Sequence, residues 1–354
     1  MSLQYSYPPP FRHHTLHLQD GKLQPSSYPV SAVGLDDLVT DPIPIIDMQL
    51  IDRERLQEAC RSWGLFRVVN HGIPLTILTQ IQELAGRLFS LPFQAKELLG
   101  SPLSYFWGTP VLTPSGAALG LGLGHGVGPH AGAAASRVNW VEGLNAPLCK
   151  LPELKTKDPL LSSLRSCLQE YGTHMGRIAT SLFHMAAEDL NLQPKMKRGS
   201  YLSESTGFVR VYRYPHCSKQ ISHLGMDVHT DSSLLTILCQ DDVGGLEVLR
   251  DGKWIPVRPI PSTLVINLGD MMQAISNDEF KSAIHKVKNN EQKDRISIGY
   301  FVFPGDDAVI QGSNYRPFKY KEFQDQVQRD VKAVGYKVGL QRFRIDAEFS
   351  EMNN

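Results

Sequence analysis

The chain is poor in the features that mark secreted, membrane-spanning and polyanion-binding proteins. Its five cysteines (Cys60, Cys149, Cys167, Cys217 and Cys239) are scattered, odd in number and form no C-x-x-C pair. That argues against a disulfide framework and for a reducing compartment. No run of about 18 apolar residues occurs, so no membrane span is expected. The opening stretch MSLQYSYPPPFRHHTLHLQDGK has neither an apolar signal core nor an arginine-rich amphipathic pattern. Secretory and transit peptides are therefore not expected, and the cytoplasm is the default location. An excess of one charge is missing too. The 36 basic and 36 acidic side chains cancel, so nothing points to nucleic acid or another polyanion. A small molecule is the expected partner, and a monomer the expected state.

What is there suffices for a large core: 354 residues, 42% apolar and 20% charged. Residues 1–40, rich in Pro, Ser, His and Gln, read as a mostly irregular arm. Residues 41–150 read as a region of strands and helices. Ile43, Pro44, Ile45, Ile46 and Asp47 open it as a short strand. From Asp52, the apolar residues Leu56, Ala59, Cys60 and Trp63 recur at helical spacing, and Gly64 ends that helix. Leu65 to Asn70 is a strand. Pro74 opens a second helix at the favoured first-turn position, which stops near Leu91 and Pro92.

Residues 108–136 are rich in Gly and Ala. They lack both the G-x-G-x-x-G spacing and a G-K-[ST] ending, so a phosphate loop is not expected. A flexible surface loop is the expected form, and a lid over a pocket is the alternative. Residues 151–203 form a helical connector, with an apolar stripe from Leu161 to Met185 that predicts core packing. His174 and His184 lie on this helix without a carboxylate or second histidine at useful spacing, and are read as packed or solvated.

From Gly207 the texture changes to short strands separated by turns. FVRVYRY, LLTILCQ, GLEVLR, KWIPVRPI, STLVINLG, HKVKN and RISIGYFVF are the predicted strands. Asp251 and Gly252 between two of them are a hairpin signal. This rhythm over residues 204–306 predicts a jelly roll. Residues 307–354 supply a last strand, a helix near 321–334 and a tail. The expected fold is α+β: a double-stranded β-helix with a helical N-terminal region packed against it.

The sharpest motif is His229-Thr230-Asp231. In extended backbone, residues i and i+2 point to the same side, so His229 and Asp231 face one point. His285, at the head of a later strand, supplies a third ligand. Two imidazoles and one carboxylate make the facial triad of non-haem iron(II) oxygenases, which leaves positions open for co-substrate and dioxygen. H-x-D alone is weak, because a turn-capping Asp beside a surface His gives the same pattern.

Ten residues after His285 comes Arg295-Ile296-Ser297. Arg295 and Ser297 share one strand face, where a guanidinium fork and a hydroxyl can grip the distal carboxylate of 2-oxoglutarate. Tyr214 can offer its phenol to the same carboxylate, or pack as an ordinary strand tyrosine. Phe106, Trp107, Phe301 and Phe303 are candidates for the pocket wall or for core. The lysines 281, 286, 288 and 293 surround these motifs and can attract an anion or form a solvated face.

At this point the chain resembles plant 2-oxoglutarate- and iron(II)-dependent dioxygenases, over roughly residues 40–340. The stretches that carry the likeness are WGLFRVVNHGIP, YRYPHC, HTDSSLLTILCQDDVGGLEVLRDGKW, LVINLGDMMQAISNDEFKSAIHKV and RISIGYF. The resemblance implies iron ligands at His229, Asp231 and His285. It implies a 2-oxoglutarate site at Arg295, Ser297 and Tyr214, and ascorbate as reductant. Tyr212 departs from the family, which often has Asn there, and His216 stands where a proline is common.

Within the family the wording is most similar to the gibberellin oxidases, which act on carboxylated diterpenoids. That implies hydroxylation of a gibberellin with release of succinate and CO2. A flavonoid or other specialised-metabolite oxygenase is the alternative within the family. An inactive jelly-roll binding protein is the alternative outside it.

Overall fold

The computed structural model describes residues 3–12, 41–112, 118–121, 139–188, 190, 207–217, 224–334 and 336–345. The chain opens with helix α1 (Pro9–Arg12), strand β1 (Ile45–Asp47), helix α2 (Arg53–Ser62) and strand β2 (Leu65–Val69). Helices α3 (Leu75–Phe89) and α4 (Phe93–Glu97) lead to β3 (Ser104–Trp107), the hairpin β4 (Thr109–Leu112) and β5 (Ala118–Leu121), and β6 (Glu142–Pro147). The long helix α5 (Pro159–Glu188) follows. Then come β7 (Phe208–Tyr214), β8 (Leu224–His229), β9 (Leu235–Gln240), β10 (Leu246–Arg250), β11 (Lys253–Pro256) and β12 (Leu264–Leu268). Helix α6 (Asp270–Ile275), β13 (His285–Lys288), β14 (Arg295–Val302) and helix α7 (Tyr320–Val334) complete the described elements near the core.

Two sheets carry the fold. The major one has the order β1-β2-β12-β9-β14-β7-β6-β3 and the minor one β11-β10-β13-β8. They meet face to face at β7 and β8, where a side chain added at Gly225 would lie 2.6 Å from the Tyr214 ring. This is the expected jelly roll, with helices on its outer side.

Alternation along β14 sorts the two faces. Ile298 and Tyr300 turn to the helices: the Tyr171 hydroxyl of α5 donates to Ile298 O at 3.4 Å, and Tyr300 lies against Gly176. Arg295, Ser297, Gly299 and Phe301 therefore point into the roll. Their β7 partners are Tyr214, Tyr212, Arg210 and Phe208. Their β9 partners, from Ser297 onward, are Gln240, Leu238 and Thr236. One inner face thus collects every co-substrate residue expected from the sequence.

Local chemistry explains the flanking elements. The Asp52 side chain accepts from Arg55 N at 3.1 Å and caps α2. Gly64 ends the turn at φ +66°, and a Cβ there would sit 2.2 Å from Lys281 O, so both conformation and space require glycine. Pro74 is the cap residue of α3, one place before the first turn where it was expected. Most of the Gly/Ala-rich stretch lies outside the described residues, but β4 and β5 are strands within it, where a loop was expected.

The expected irregular arm contains an ordered piece. Residues 3–12 form two helical turns, with Tyr7 and Phe11 buried against Trp140, Cys217 and Trp107. A buried polar cluster holds them. Glu142 pairs with Lys96 and Arg213, and both cations reach Ser6 O. The Tyr7 hydroxyl donates to Asp294 at 2.8 Å, and His216 also bonds Asp294. Strands β3, β6 and β8 were not expected from the sequence. EGLNAP and LGMDVH lack clean alternation, and pairing with their neighbours makes them strands.

Candidate active site

His229 ends β8 and His285 begins β13, and the two are register partners in the minor sheet. Their ring centroids are 4.2 Å apart. Asp231 follows two residues after His229, beyond the end of β8, with Oδ1 3.8 Å from Nε2 of each histidine. One donor atom from each of the three lies within 4.8 Å of the others. Such convergence suits a single small ion.

The surroundings fix which atoms face that point. His229 Nδ1 lies 2.6 Å from Asp227 O, and His285 Nδ1 lies 2.9 Å from Ala283 O. A carbonyl only accepts, so each Nδ1 carries the proton and each Nε2 offers its lone pair. Burial, together with the neighbouring His285, holds the His229 pKa well below the usual imidazole range. Burial opposes ionisation of Asp231, but His285, His229 and the Thr236 hydrogen bond outweigh it and lower its pKa. Thr236 Oγ1 donates to Asp231 Oδ2 at 2.7 Å, leaving Oδ1 for an ion.

The backbone between the ligands is held from the far end of the chain. Lys337 Nζ donates to Thr230 O at 2.7 Å, to Ser232 Oγ at 3.3 Å and to Asp270 Oδ2 at 2.8 Å. The Asp270 N–H in turn donates to Asp231 O at 2.8 Å.

The second group sits on the major sheet. Arg295 is fully buried, with Nη1 2.9 Å from Ser297 Oγ and Nη2 3.2 Å from Gln240 Oε1. Its guanidinium carbon lies 4.9 Å from the Tyr214 ring centre. Among the described residues it has no salt bridge, and its Nε has no partner. A buried cation whose hydrogen-bond partners are neutral can receive an anion. Tyr214 is buried beside it, and burial pushes its phenol up to about 12, so it remains a donor.

The other residues singled out by sequence fall in several places. Phe106 and Phe301 face the inner side, where Phe106 packs edge-on to Tyr212. Phe303 stacks on Tyr320. Trp107 instead joins the cluster around Phe11, outside the roll. Lys286 and Lys288 pair with Glu247 and are not free to attract an anion. His174 contacts Arg177 on the exposed side of α5. Thr236, Gln240 and Lys337 carry no motif. Only the alternation of LLTILCQ, read with the strand order, would have placed Thr236 and Gln240 on the inner face.

With this geometry in place, the comparisons with known proteins bear directly on it. Residues 205–304 match the 2OG-Fe(II) oxygenase superfamily, and residues 43–118 match the N-terminal region of a non-haem dioxygenase in morphine synthesis. Gibberellin 2-beta-dioxygenase 6 of Oryza sativa subsp. japonica is 34% identical over 349 residues, covering 92% of this chain and 91% of that protein. The chain belongs to the 2OG-Fe(II) oxygenase superfamily.

Gibberellin 2-beta-dioxygenase 8 of Arabidopsis thaliana is 35% identical over 339 residues, covering 90% of each chain. The solved structure of JOX2 in complex with 2OG, Fe and JA superposes with a TM-score of 0.66 at 26% identity, over 93% of this chain and 98% of that one. The protein is thus a 2-oxoglutarate- and iron(II)-dependent dioxygenase that takes a small-molecule substrate and O2. The donor set fits the metal: two imidazoles and one carboxylate suit iron(II) and leave open positions. The unpaired guanidinium fits a carboxylate. Among the described residues no helix is long and apolar enough to cross a membrane.

Proposed function

We propose that the protein hydroxylates a gibberellin at its 2β carbon. His229 Nε2, Asp231 Oδ1 and His285 Nε2 hold the iron. Arg295, Ser297 and Tyr214 bind the distal carboxylate of 2-oxoglutarate. The protein works in the cytoplasm as a monomer, with ascorbate keeping the metal reduced.

With both bound, iron(II) would activate O2 and 2-oxoglutarate would give two electrons, so that one oxygen atom enters a C–H bond and the other enters succinate, with release of CO2. The chain's own residues orient this chemistry. Thr236 holds the Asp231 carboxylate so that one oxygen faces the ion. The Asp227 and Ala283 carbonyls fix the tautomers of both histidines. Arg295 neutralises the far carboxylate of the co-substrate in a site closed to water, where a charge-assisted hydrogen bond is strong.

One observation carries the substrate: gibberellin 2-beta-dioxygenases from two plants align with nearly the whole chain. The JOX2 complex with JA supports a second reading, a jasmonate-type acid. Incubation with iron(II), ascorbate, 2-oxoglutarate and both classes of acid tests the two. A gibberellin product heavier by one oxygen atom, matched by succinate, is expected. Product from the jasmonate alone would replace the gibberellin assignment.

A further inference from the structure

Four arginines are buried in the described core: Arg67, Arg210, Arg213 and Arg295. Arg67 pairs with Asp41, and Arg213 with Glu142. Arg295 and Arg210 have no carboxylate partner among the described residues, and both project from the inner face of the major sheet. Arg295 is accounted for by 2-oxoglutarate. Arg210 is not.

Arg210 is 7% exposed, and its contacts Asn145, Tyr212 and Phe301 are neutral. Its Nε donates to Asn145 Oδ1 at 2.9 Å, and its Nη1 to the Tyr212 hydroxyl at 3.4 Å. Its guanidinium carbon lies 5.0 Å from the Phe301 ring centre. Nη2 has no partner. Stacking on a phenyl ring offsets only a small part of the cost of burying a full charge. The arrangement leaves one donor atom, and the charge, for a ligand.

The register places this donor on the reacting side. The successive rungs of β7 and β14 are Tyr214 with Arg295, Tyr212 with Ser297, Arg210 with Gly299, and Phe208 with Phe301. Gly299 has no side chain, and the Phe301 ring occupies the space over it beside Arg210. Phe301 is paired on β9 with Thr236, which hydrogen-bonds the metal-site Asp231. Tyr212 stands between the two cations and is edge-on to Phe106. An Asn at that position would be too short to take its place beside both groups.

We propose that Arg210, oriented by Asn145 and Tyr212, is a second anion subsite that binds a carboxylate of the substrate. The substrate class is an apolar carboxylic acid whose ring body lies along the Phe301 side of the inner face. Tyr212 separates this acid from the 2-oxoglutarate held by Arg295. The inference rests on the oxygenase reading of the site and deepens its substrate class, without requiring that the acid be a gibberellin.

The test compares free acids with their methyl esters, using the full chain loaded with iron(II) and 2-oxoglutarate. The panel contains gibberellins, jasmonic acid and indole-3-acetic acid. Esterification removes the substrate charge without altering the protein. For the acid that is turned over, kcat/KM is expected to exceed that of its ester by about ten- to hundredfold. That ratio should collapse toward unity in Arg210→Met and be partly kept in Arg210→Lys. The KM for 2-oxoglutarate should change less than the KM for the acid. Turnover of a non-gibberellin acid with this pattern would end the gibberellin assignment and leave Arg210 standing. Equal turnover of acid and ester by the unaltered enzyme would overturn the subsite even if a gibberellin is the substrate. A ratio unchanged in Arg210→Met, or no turnover of any acid, would overturn it as well.

Discussion

Lys337 Nζ lies 2.7 Å from the carbonyl oxygen of Thr230, the residue between His229 and Asp231. The same ammonium reaches Asp270, whose N–H holds the Asp231 carbonyl. A side chain from beyond α7 therefore ties down the backbone on which two of the proposed metal ligands stand. Lys337→Met is expected to weaken iron binding by about tenfold, the usual effect of removing a group that orients ligands. Titration of the variant with iron(II) under anaerobic conditions checks this. An unchanged binding isotherm contradicts it.

Thr236 acts through Asp231. Thr236→Val removes the donor to Asp231 Oδ2 while keeping shape. The freed carboxylate oxygen is expected to cost about 1–3 kcal/mol, read as weaker iron affinity. Thr236→Ser should restore most of it. Equal affinity in Thr236→Val and the unaltered protein would show that the hydrogen bond does not orient the carboxylate.

Arg295 is the proposed anchor of the co-substrate. Arg295→Met is expected to raise the KM for 2-oxoglutarate by about ten- to hundredfold, and Ser297→Ala by less. In the presence of metal, 2-oxoglutarate at a hundred times its dissociation constant should stabilise the unaltered protein by about 2.7 kcal/mol. Arg295→Met should lose that shift in thermal unfolding. A retained shift would place the co-substrate elsewhere.

The site was legible wherever ligands stand close in the chain or at a strand start. His229 and Asp231 are two residues apart, Arg295 and Ser297 likewise, and His285 heads its own strand. What could not be read was register across distant strands. Nothing local says that Gly299 faces Arg210, or that Lys337 reaches a carbonyl 107 residues away. The same applies to residues 3–12. Their polar and proline-rich composition reads as irregular, but Ser6 and Tyr7 answer charges carried by α4, β7 and Asp294. Strand β6 was missed for a related reason: its Gly143 and Pro147 are poor strand formers that pairing with β7 overrides.

That cluster makes a stability prediction. Glu142 is fully buried and compensates both Lys96 and Arg213. Glu142→Gln leaves two buried cations short of a partner and is expected to cost about 3–5 kcal/mol. Chemical denaturation of the two proteins measures it. A loss below about 1 kcal/mol would match a solvated pair instead.

Asp241 gives a pH dependence. Burial raises its pKa to about 6, against the pull of Arg295 and the backbone donors of Ile296 and Val243. A folded pKa above the unfolded one contributes stability that is complete below the unfolded value and lost as pH rises through the folded value. The contribution of Asp241 should therefore fall between pH 3.8 and about 6. Asp241→Asn should remove that part of the slope in denaturation series across this range. Identical slopes in both proteins contradict it.

Metal stoichiometry tests the central assignment most directly. Anaerobic titration with iron(II), followed by succinate release on adding 2-oxoglutarate and O2, should give one iron per chain in the unaltered protein. His229→Ala, Asp231→Ala and His285→Ala should each lose the bound iron and the succinate. Full iron binding and full turnover in any one of these variants would contradict the account.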